Sequence, residues 1–291
     1  MKVTGFTFIR NAVKYDYPVC EAIRSILPIC DEVVVGLGNS EDGTEALIRS
    51  IESEKLKIVH SVWDDSLHEG GRVLAVETDK AFKHISPDTD WCFYIQADEI
   101  IHEQYYEVIR QAMERYKDNH RVEGLLFRYK HFYGSYDYVG DTRKWYSHEI
   151  RVIRNDPAIS SYRDAQGFRK NGRKLRVKEI DASVYHYGWV KHPGFQLQKI
   201  LGFERLYNSH NMASRISKEA SQQFDYSGID SLTRFTGTHP AVMHERIARQ
   251  NWIFEHDITR KNFTLKGRIL HWIERTTGKR LFDYRNYRIL R

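Results

Sequence analysis

Residues 91–95 (WCFYI) form an apolar run that leads, after Gln96 and Ala97, into the adjacent carboxylates Asp98 and Glu99. An apolar run of this kind is typical of a strand buried on both faces of a sheet. Mg²⁺ and Mn²⁺ bind few protein carboxylates and complete their shells with water and phosphate oxygens. The pattern therefore predicts a divalent-cation site that would neutralise a nucleotide diphosphate, although Asp also commonly begins a turn or caps a helix.

The first hundred residues contain the elements that must position these carboxylates. Strand formers fill residues 3–9, 32–37, 56–62 and 91–96, and segments with helical spacing of apolar residues separate them. This alternation predicts a parallel sheet with right-handed crossovers and helices on both faces. Ligands bind outside the carboxyl ends of such strands, which is where Asp98 falls.

The pattern changes after about residue 120. We expect a strand over residues 122–132, a short strand over 184–187, and helices over 195–207, 240–254 and 265–275. The many aromatic residues between positions 129 and 146 can stack on sugar faces or pack a core. We divide the chain into a catalytic domain of residues 1–210 and a helical, basic extension of residues 211–291.

Length and composition favour a globular protein. The chain has 291 residues, 41% of them hydrophobic, which can supply a substantial core. No apolar window approaches the length of a membrane span, and the N-terminal residues lack the features of a secretory signal, so we expect a cytoplasmic protein. Cys20, Cys30 and Cys92 have no metal-ligand spacing and are expected to be reduced structural residues.

The positive net charge of +6 is concentrated near the C-terminus. Residues 260–291 contain ten Lys or Arg and two acidic residues, whereas the preceding 259 residues carry 35 basic and 37 acidic groups. This distribution argues against a nucleic-acid partner, which would favour a basic stripe on the folded domain. A basic, aromatic tail fits contact with an anionic surface such as the inner membrane, and a solvated helical face explains it equally well.

Three motifs follow one another at the predicted strand ends: FIRN, NSEDGT and QADE. Their order resembles that of the family-two inverting glycosyltransferases with the GT-A fold, and is most similar to bacterial enzymes that glycosylate lipopolysaccharide core or capsule. The resemblance covers about the first 100 residues and reappears at residues 162–189. It implies a Rossmann-like, mixed and mainly parallel sheet with a helical C-terminal extension. It also implies transfer of a sugar, with inversion, from a nucleotide-diphosphate donor to a glycan or lipid-linked acceptor in cell-surface polysaccharide or lipopolysaccharide biosynthesis.

The resemblance assigns residues to a metal and to the donor. Asp98 matches the last Asp of the family's metal motif, and His186 matches a His that completes the site for Mn²⁺ or Mg²⁺. His68, His148, His192 and His239 are competitors of His186. The residues expected to bind the nucleotide-sugar are Arg10, Asn11, Asn39, Ser40, Asp42, Arg72 and Gln96.

Two departures from the family pattern concern the donor. Gln96 stands where the family has the first Asp of its metal motif, so it brings no charge. Leu37 and Gly38 stand where the family has an Asp that reads the nucleotide base. The sequence therefore leaves the base of the donor open.

An inverting transfer needs a general base that deprotonates the acceptor hydroxyl. Asp164, in SSYRDAQGFR, falls where the related enzymes carry a Glu, and Glu149 precedes a predicted strand. We prefer Asp164 because its segment lies between two predicted strands and close in sequence to His186. Either carboxylate is also explained as a surface ion-pair residue.

Two other functions are weighed against glycosyl transfer. A nucleotidyltransferase shares the layout of strands and metal carboxylates, but it places a Gly-rich phosphate loop after the first strand. Residues 10–13 (RNAV) form no such loop. A catalytically inactive nucleotide-sugar-binding protein of the same fold is the other alternative, and Gln96 is the residue that favours it.

Overall fold

The computed structural model describes residues 1–67, 69–207 and 223–291. His68 and residues 211–222 of the expected extension lie outside the described residues. The strands are β1 Val3–Ile9, β2 Glu32–Gly38, β3 Leu56–Ser61, β4 Trp91–Tyr94, β5 Glu99–Ile101, β6 Gly124–Tyr133, β7 Ser135–Gly140, β8 His148–Arg154, β9 Ile159–Tyr162, β10 Gly167–Lys170, β11 Arg173–Lys174, β12 Arg176–Trp189, β13 Leu232–Arg234 and β14 Arg288–Ile289. The α-helices are α1 Val19–Ile26, α2 Thr44–Arg49, α3 Arg72–Lys83, α4 Tyr106–Tyr116, α5 Pro193–Tyr207, α6 His244–Ala248 and α7 Leu265–Thr277.

The larger of two described sheets is mixed and contains eleven strands. Its N-terminal half runs β3-β2-β1-β4 with every neighbour parallel, which is the strand order of a Rossmann-like half. β8 then pairs antiparallel with both β4 and β6, and the long strand β12 pairs parallel with β6. The expected fold class, a Rossmann-like α/β sheet of mixed direction, is confirmed.

Helices cover both faces of the parallel half. Trp91 and Phe93 of β4 pack in the same core as α1, whereas Cys92 and Tyr94 pack on the opposite face in the core of α3. All four residues of β4 are buried, because alternate side chains point into two different cores. The prediction of a strand buried on both sides, drawn from the run at 91–95, is confirmed.

Two of the elements expected in the second half have different bounds in the structure. The short strand expected at 184–187 belongs to the fourteen-residue strand β12. The helix expected over 240–254 is shorter than predicted, since a 3-10 turn at Ala241–Met243 leads into α6, which ends at Ala248. Trp252 instead donates its indole N–H to the carbonyl of Gly134, and the Phe254 ring packs against that glycine. Tertiary contacts of these rings outweigh the helical pattern of the local sequence.

The described C-terminal part returns to the main sheet. β13 pairs with β7, and β14 pairs parallel with β12. The helix expected over 265–275 is confirmed as α7, which Thr264 caps by accepting from the N–H of Gly267. Among the described helices, none combines the length and apolar character that a membrane crossing requires. The three cysteines are buried and unbridged, as expected.

Candidate functional site

A cleft of about 960 Å³ opens at the carboxyl ends of β1 and β4 and is bounded by one face of α5. Parallel sheets bind ligands at this edge. Six of the predicted site residues come from four separate segments of the chain and line this cleft: Arg10, Asn11, Gln96, Asp98, Asp164 and His186. The expectation that Asp98 reaches a cavity in company with His186 therefore agrees with the structure.

Asp98 and His186 meet because β5 and β12 pair in antiparallel register. Glu99 of β5 lies opposite His186, and the N–H of Tyr187 donates to the carbonyl of Asp98 at 2.8 Å. Oδ1 of Asp98 is 3.7 Å from Nε2 of His186. Both side chains are about nine-tenths buried and both line the cleft.

Lys199 of α5 is the third member of this cluster. Its ammonium donates to Oδ2 of Asp98 at 2.9 Å and to the carbonyl of Gly188 at 2.8 Å. Burial is the largest single influence and opposes ionisation of Asp98, but the surrounding positive charges, that of Lys199 foremost, together with the hydrogen bond from Lys199 outweigh burial and hold the pKa of that carboxyl well below its usual range. Nothing in the sequence distinguishes Lys199 from other helical lysines, so sequence analysis missed it.

A chain of hydrogen bonds fixes the ring orientation of His186. The carbonyl of Tyr146 can only accept, so Nε2 of His131, 2.8 Å away, carries the proton. Burial lowers the pKa of both His131 and His186, so both rings are neutral near pH 7. Nδ1 of His131 must then accept from Nδ1 of His186 at 3.1 Å. The free lone pair of His186 is therefore on Nε2, the atom nearest Asp98.

The donor set around Asp98 fits a hard divalent cation that shares its shell with a phosphate ligand. Oδ1 of Asp98 and Nε2 of His186 face the same space, and such ions complete their shells with water and phosphate oxygens. Glu99 does not contribute, because Arg151 pairs with both of its oxygens at 2.6 and 2.7 Å. Within residues 1–67, 69–207 and 223–291, no group of three His, Cys, Asp or Glu side chains could hold a metal.

The hydrogen bonds of the Gln96 side chain that the structure describes are made by its amide nitrogen. Its Nε2 donates to the carbonyl of Ala165 at 3.2 Å and to the hydroxyl of Tyr94 at 3.3 Å. Ala165 and Asp164 belong to the tight turn between β9 and β10, in which Arg163 and Ala165 have positive φ. Gln96 thus holds the turn that presents Asp164 to the cleft.

Glu149 lies behind the cleft wall. Its side chain is buried, it is not among the residues that line the cleft, and Gln166 hydrogen-bonds to it. Burial raises the pKa of Glu149 to about 8, and the neighbouring charge of Glu99 adds to the rise. Of the two predicted bases, Asp164 is the one that faces the cleft.

The NSEDGT residues brace the loops at the cleft edge. Ser40 accepts from the N–H of Asn11 at 3.0 Å, and Asp42 accepts from the N–H groups of Lys14 and Thr44. Asn39 accepts from the N–H of Trp63. None of these three side chains lines the cleft, and neither does Arg72, which is exposed at the start of α3.

Trp63 fills the space beside Gly38 at the wall of the cleft. A Cβ on Gly38 would lie 2.3 Å from Nε1 of Trp63, so the indole occupies the space that a side chain at position 38 would need. Phe8 and the guanidinium of Arg10 pack on the same ring. The wall of the cleft is aromatic where the family resemblance predicts a carboxylate.

The chain has been compared with known proteins at three levels. No family model and no curated protein matches it. Among solved structures, S. aureus TarS 1–349 in complex with UDP aligns with a TM-score of 0.42 and 16% identity over 70% of this chain and 64% of that chain. Glucosyl-3-phosphoglycerate synthase from Mycobacterium tuberculosis, in complex with Mn²⁺, UDP and phosphoglyceric acid, gives 0.29 and 17% over 45% and 43%. 4-Diphosphocytidyl-2C-methyl-D-erythritol synthase from Anaerococcus prevotii gives 0.34 and 10% over 53% and 70%. The chain thus spans less than two thirds of the TarS chain and less than half of the mycobacterial synthase.

Proposed function

We propose that this chain is a GT-A-type glycosyltransferase that uses a nucleotide-diphosphate sugar. The supporting observation is that Arg10, Asn11, Gln96, Asp98, Asp164 and His186, selected from sequence motifs, line one cleft. We assign the nucleoside to the side of Arg10 and Asn11, and the diphosphate to the side of Asp98. The proposed effect of Asn39, Ser40 and Asp42 on donor binding is indirect, through the loops that they hydrogen-bond. Direct binding of the donor by Arg72 stays a prediction.

Asp164 is the proposed general base of an inverting transfer. The acceptor hydroxyl oxygen forms a bond to the anomeric carbon while its proton passes to the Asp164 carboxylate. The bond between that carbon and the diphosphate oxygen breaks, and the nucleoside diphosphate leaves. Glu149 is the reserve assignment, because its raised pKa suits a base near neutral pH, but Gln166 would have to move to expose it.

Asp98 and His186 are the proposed ligands of Mn²⁺ or Mg²⁺. The ion, when bound, would take up negative charge on the leaving diphosphate. The protein would contribute one carboxylate oxygen and one neutral imidazole, with His131 fixing the imidazole's tautomer. The proposed acceptor is a glycan or lipid-linked precursor of a cell-surface polysaccharide or lipopolysaccharide.

The helix α7 is the proposed contact with a membrane surface. Leu265, Ile269 and Trp272 are 76%, 53% and 66% exposed, and their spacing places them on one face. Glu274, on a different face, binds Arg143 at 2.9 Å and ties the helix to the body. An outward apolar face within a basic segment matches a peripheral anchor on anionic lipid.

The proposed division into residues 1–210 and 211–291 follows from these roles. The first segment would bind donor and acceptor, and the second would carry the membrane contact. Its described part, residues 223–291, is joined to the main sheet through β13 and β14.

A thermal-shift screen of UDP, GDP, CMP and dTDP sugars, followed by product analysis, tests the function. We expect one of the diphosphate classes, UDP, GDP or dTDP sugars, to raise the melting temperature by mass action and its sugar to be transferred with inversion, whereas CMP sugars, which carry a monophosphate, should not stabilise the protein. Asp164→Asn should bind that donor normally and turn over at least about 100-fold more slowly, as loss of a general base predicts. Glu149→Gln is the matched variant, expected to retain turnover.

Each contrary outcome has a distinct meaning. Absence of stabilisation by any nucleotide sugar, with and without Mn²⁺, would reject the proposed function. Binding without transfer to any acceptor would favour the inactive binding protein. Normal turnover by Asp164→Asn with slow turnover by Glu149→Gln would move the base to Glu149.

A further inference from the structure

Lys199 differs from the other positively charged residues that line the described cleft in its burial and in its contact with Asp98. The described cleft-lining residues include four such groups: Arg10, Lys14, Arg151 and Lys199. Arg10 is paired with Asp65 at 2.5 Å, and Arg151 with Glu99. Lys14 is 43% exposed and reaches Glu41 at 4.0 Å. Lys199 is the only one of the four that contacts Asp98, and only about one eighth of its side chain is exposed.

Counted over the part of the chain that the structure describes, the hydrogen bonds of Lys199 leave one N–H donor unused. A lysine ammonium has three N–H groups. Among the described contacts, Asp98 and the Gly188 carbonyl accept two of them, while the rings of Tyr17 and Phe203 lie 5.0 and 5.7 Å from the nitrogen. Two fixed acceptors hold the ammonium at the cleft wall, so its third N–H can meet a ligand oxygen without reordering the side chain.

The surrounding backbone is shaped to allow this cluster. A Cβ on Gly188 would lie 2.7 Å from Oδ2 of Asp98 and from Nε2 of His186. Only glycine at this position leaves room for both side chains and places its own carbonyl on Lys199. Lys191, three residues further along, is fully buried and binds the carbonyls of Tyr15 and Asp16 instead.

We propose that Lys199 binds the diphosphate of the donor directly and discriminates diphosphates from monophosphates in this cleft. The proposal rests on the proposed function, because it names the group that receives the leaving end of the donor. Asp98 is shared: Oδ2 positions Lys199, whereas Oδ1 faces His186. A compact ammonium suits a non-bridging phosphate oxygen as a point charge. Part of the diphosphate affinity would then persist without a metal ion.

The test measures binding of matched diphosphates and monophosphates by calorimetry, in excess EDTA and in Mn²⁺. The probes are UDP with UMP, GDP with GMP, CDP with CMP, and inorganic pyrophosphate with phosphate. We expect the wild-type protein to prefer the diphosphate in EDTA. Lys199→Met should weaken diphosphate binding about tenfold or more and leave monophosphate binding within about twofold, as loss of one charge-assisted contact predicts.

Two variants guard against a trivial loss of folding. Lys199→Arg keeps the charge and should retain most of the preference for diphosphate. Lys57→Met removes an exposed lysine on β3, outside the cleft, and should bind as wild type. Melting curves check that each variant is folded. If Lys199→Met does not fold, the proposal is tested by whether the wild type prefers diphosphate to monophosphate in EDTA and whether Lys199→Arg retains that preference.

Equal weakening of diphosphate and monophosphate by Lys199→Met would overturn the proposal, and so would diphosphate binding that disappears in EDTA and returns fully with Mn²⁺. Both results leave the proposed function standing. If no nucleotide and no pyrophosphate binds, in EDTA or in Mn²⁺, the role of Lys199 and the proposed function would both be overturned.

Discussion

Gln96 and Ala165 are joined by a hydrogen bond of 3.2 Å that spans 69 residues of sequence. This bond connects the segment after β4, which contains Asp98, to the turn that contains Asp164. The amide nitrogen of Gln96 therefore helps to fix the position of Asp164, the proposed base.

Gln96→Asp should slow turnover rather than restore a second metal ligand. A carboxylate cannot donate to the Ala165 carbonyl and repels it, so the Asp164 turn should shift. We expect turnover to fall by about 10- to 100-fold, the range associated with small displacements of catalytic groups. Steady-state kinetics with the identified donor measure the loss, and manganese titration should show no gain in affinity. Faster turnover together with tighter Mn²⁺ binding would contradict this account of Gln96.

Gly188→Ala should damage the cluster around Asp98. The added methyl would lie 2.7 Å from Oδ2 of Asp98, and overpacking of this kind costs about 1–3 kcal/mol. We expect a lower free energy of unfolding in urea and weaker diphosphate binding. Gly228→Ala is the control, because no atom lies within 4 Å of the point that its added methyl would occupy, and it should behave as wild type in both measurements. Equal behaviour of the two variants would argue against tight packing at Gly188.

Glu99→Gln should be strongly destabilising even though the substitution keeps the side-chain shape. Glu99 and Arg151 are both fully buried and their charges are 2.6 Å apart, so the neutral amide leaves an uncompensated guanidinium. Breaking a buried pair in this way costs about 3–5 kcal/mol. Glu45→Gln removes the partner of Arg49 on the exposed face of α2 and should cost less than about 0.5 kcal/mol. Chemical denaturation of both variants gives the comparison, and similar small losses would contradict it.

Glu149 should make the protein less stable as pH rises through the neutral range. Its folded pKa of about 8 lies above the ordinary value, so the native state holds a proton that the unfolded state releases. Stability from this group is full below about pH 4, falls by up to about 1.4 kcal/mol per pH unit above it, and levels off above about pH 8. The charged or titratable groups that interact with it are Arg151, Glu99, Asp164, Tyr146 and Tyr287. Glu149→Gln should flatten the urea-unfolding profile between pH 5 and about 8, and an unchanged slope would contradict the assignment.

Replacement of the apolar face of α7 should reduce binding to anionic vesicles. The triple variant Leu265→Ser, Ile269→Ser, Trp272→Ser removes side chains that are more than half exposed, so the fold should be retained. Sedimentation with phosphatidylglycerol vesicles should show binding of the wild type that weakens with salt, at least about tenfold weaker binding of the variant, and little binding to neutral vesicles. Equal binding of variant and wild type would remove α7 as the contact.

The parts of the site that lie at strand ends were predictable from sequence. Strand and helix periods in the first hundred residues fix which edge of a parallel sheet receives Asp98, and the order of motifs placed His186 on a later strand. Lys199 was not predictable, because its role depends on the angle at which α5 crosses the cleft, which no local pattern encodes. The same holds for Gln96 and Ala165, whose contact spans 69 residues. The helix expected over 240–254 ends early, at Ala248, because ring packing against Gly134 outweighs local spacing in the residues that follow.

The parallel pairing of β14 with β12 has a practical consequence for engineering the protein. The N–H groups of Arg288 and Leu290 donate to the carbonyls of Leu175 and Val177, at the start of the strand whose far end presents His186. Deleting residues 288–291 to reduce basic charge would remove the strand that pairs with the start of β12. The exposed strand edge could then pair with another chain and promote aggregation. Charge is better removed by point substitution than by shortening the chain.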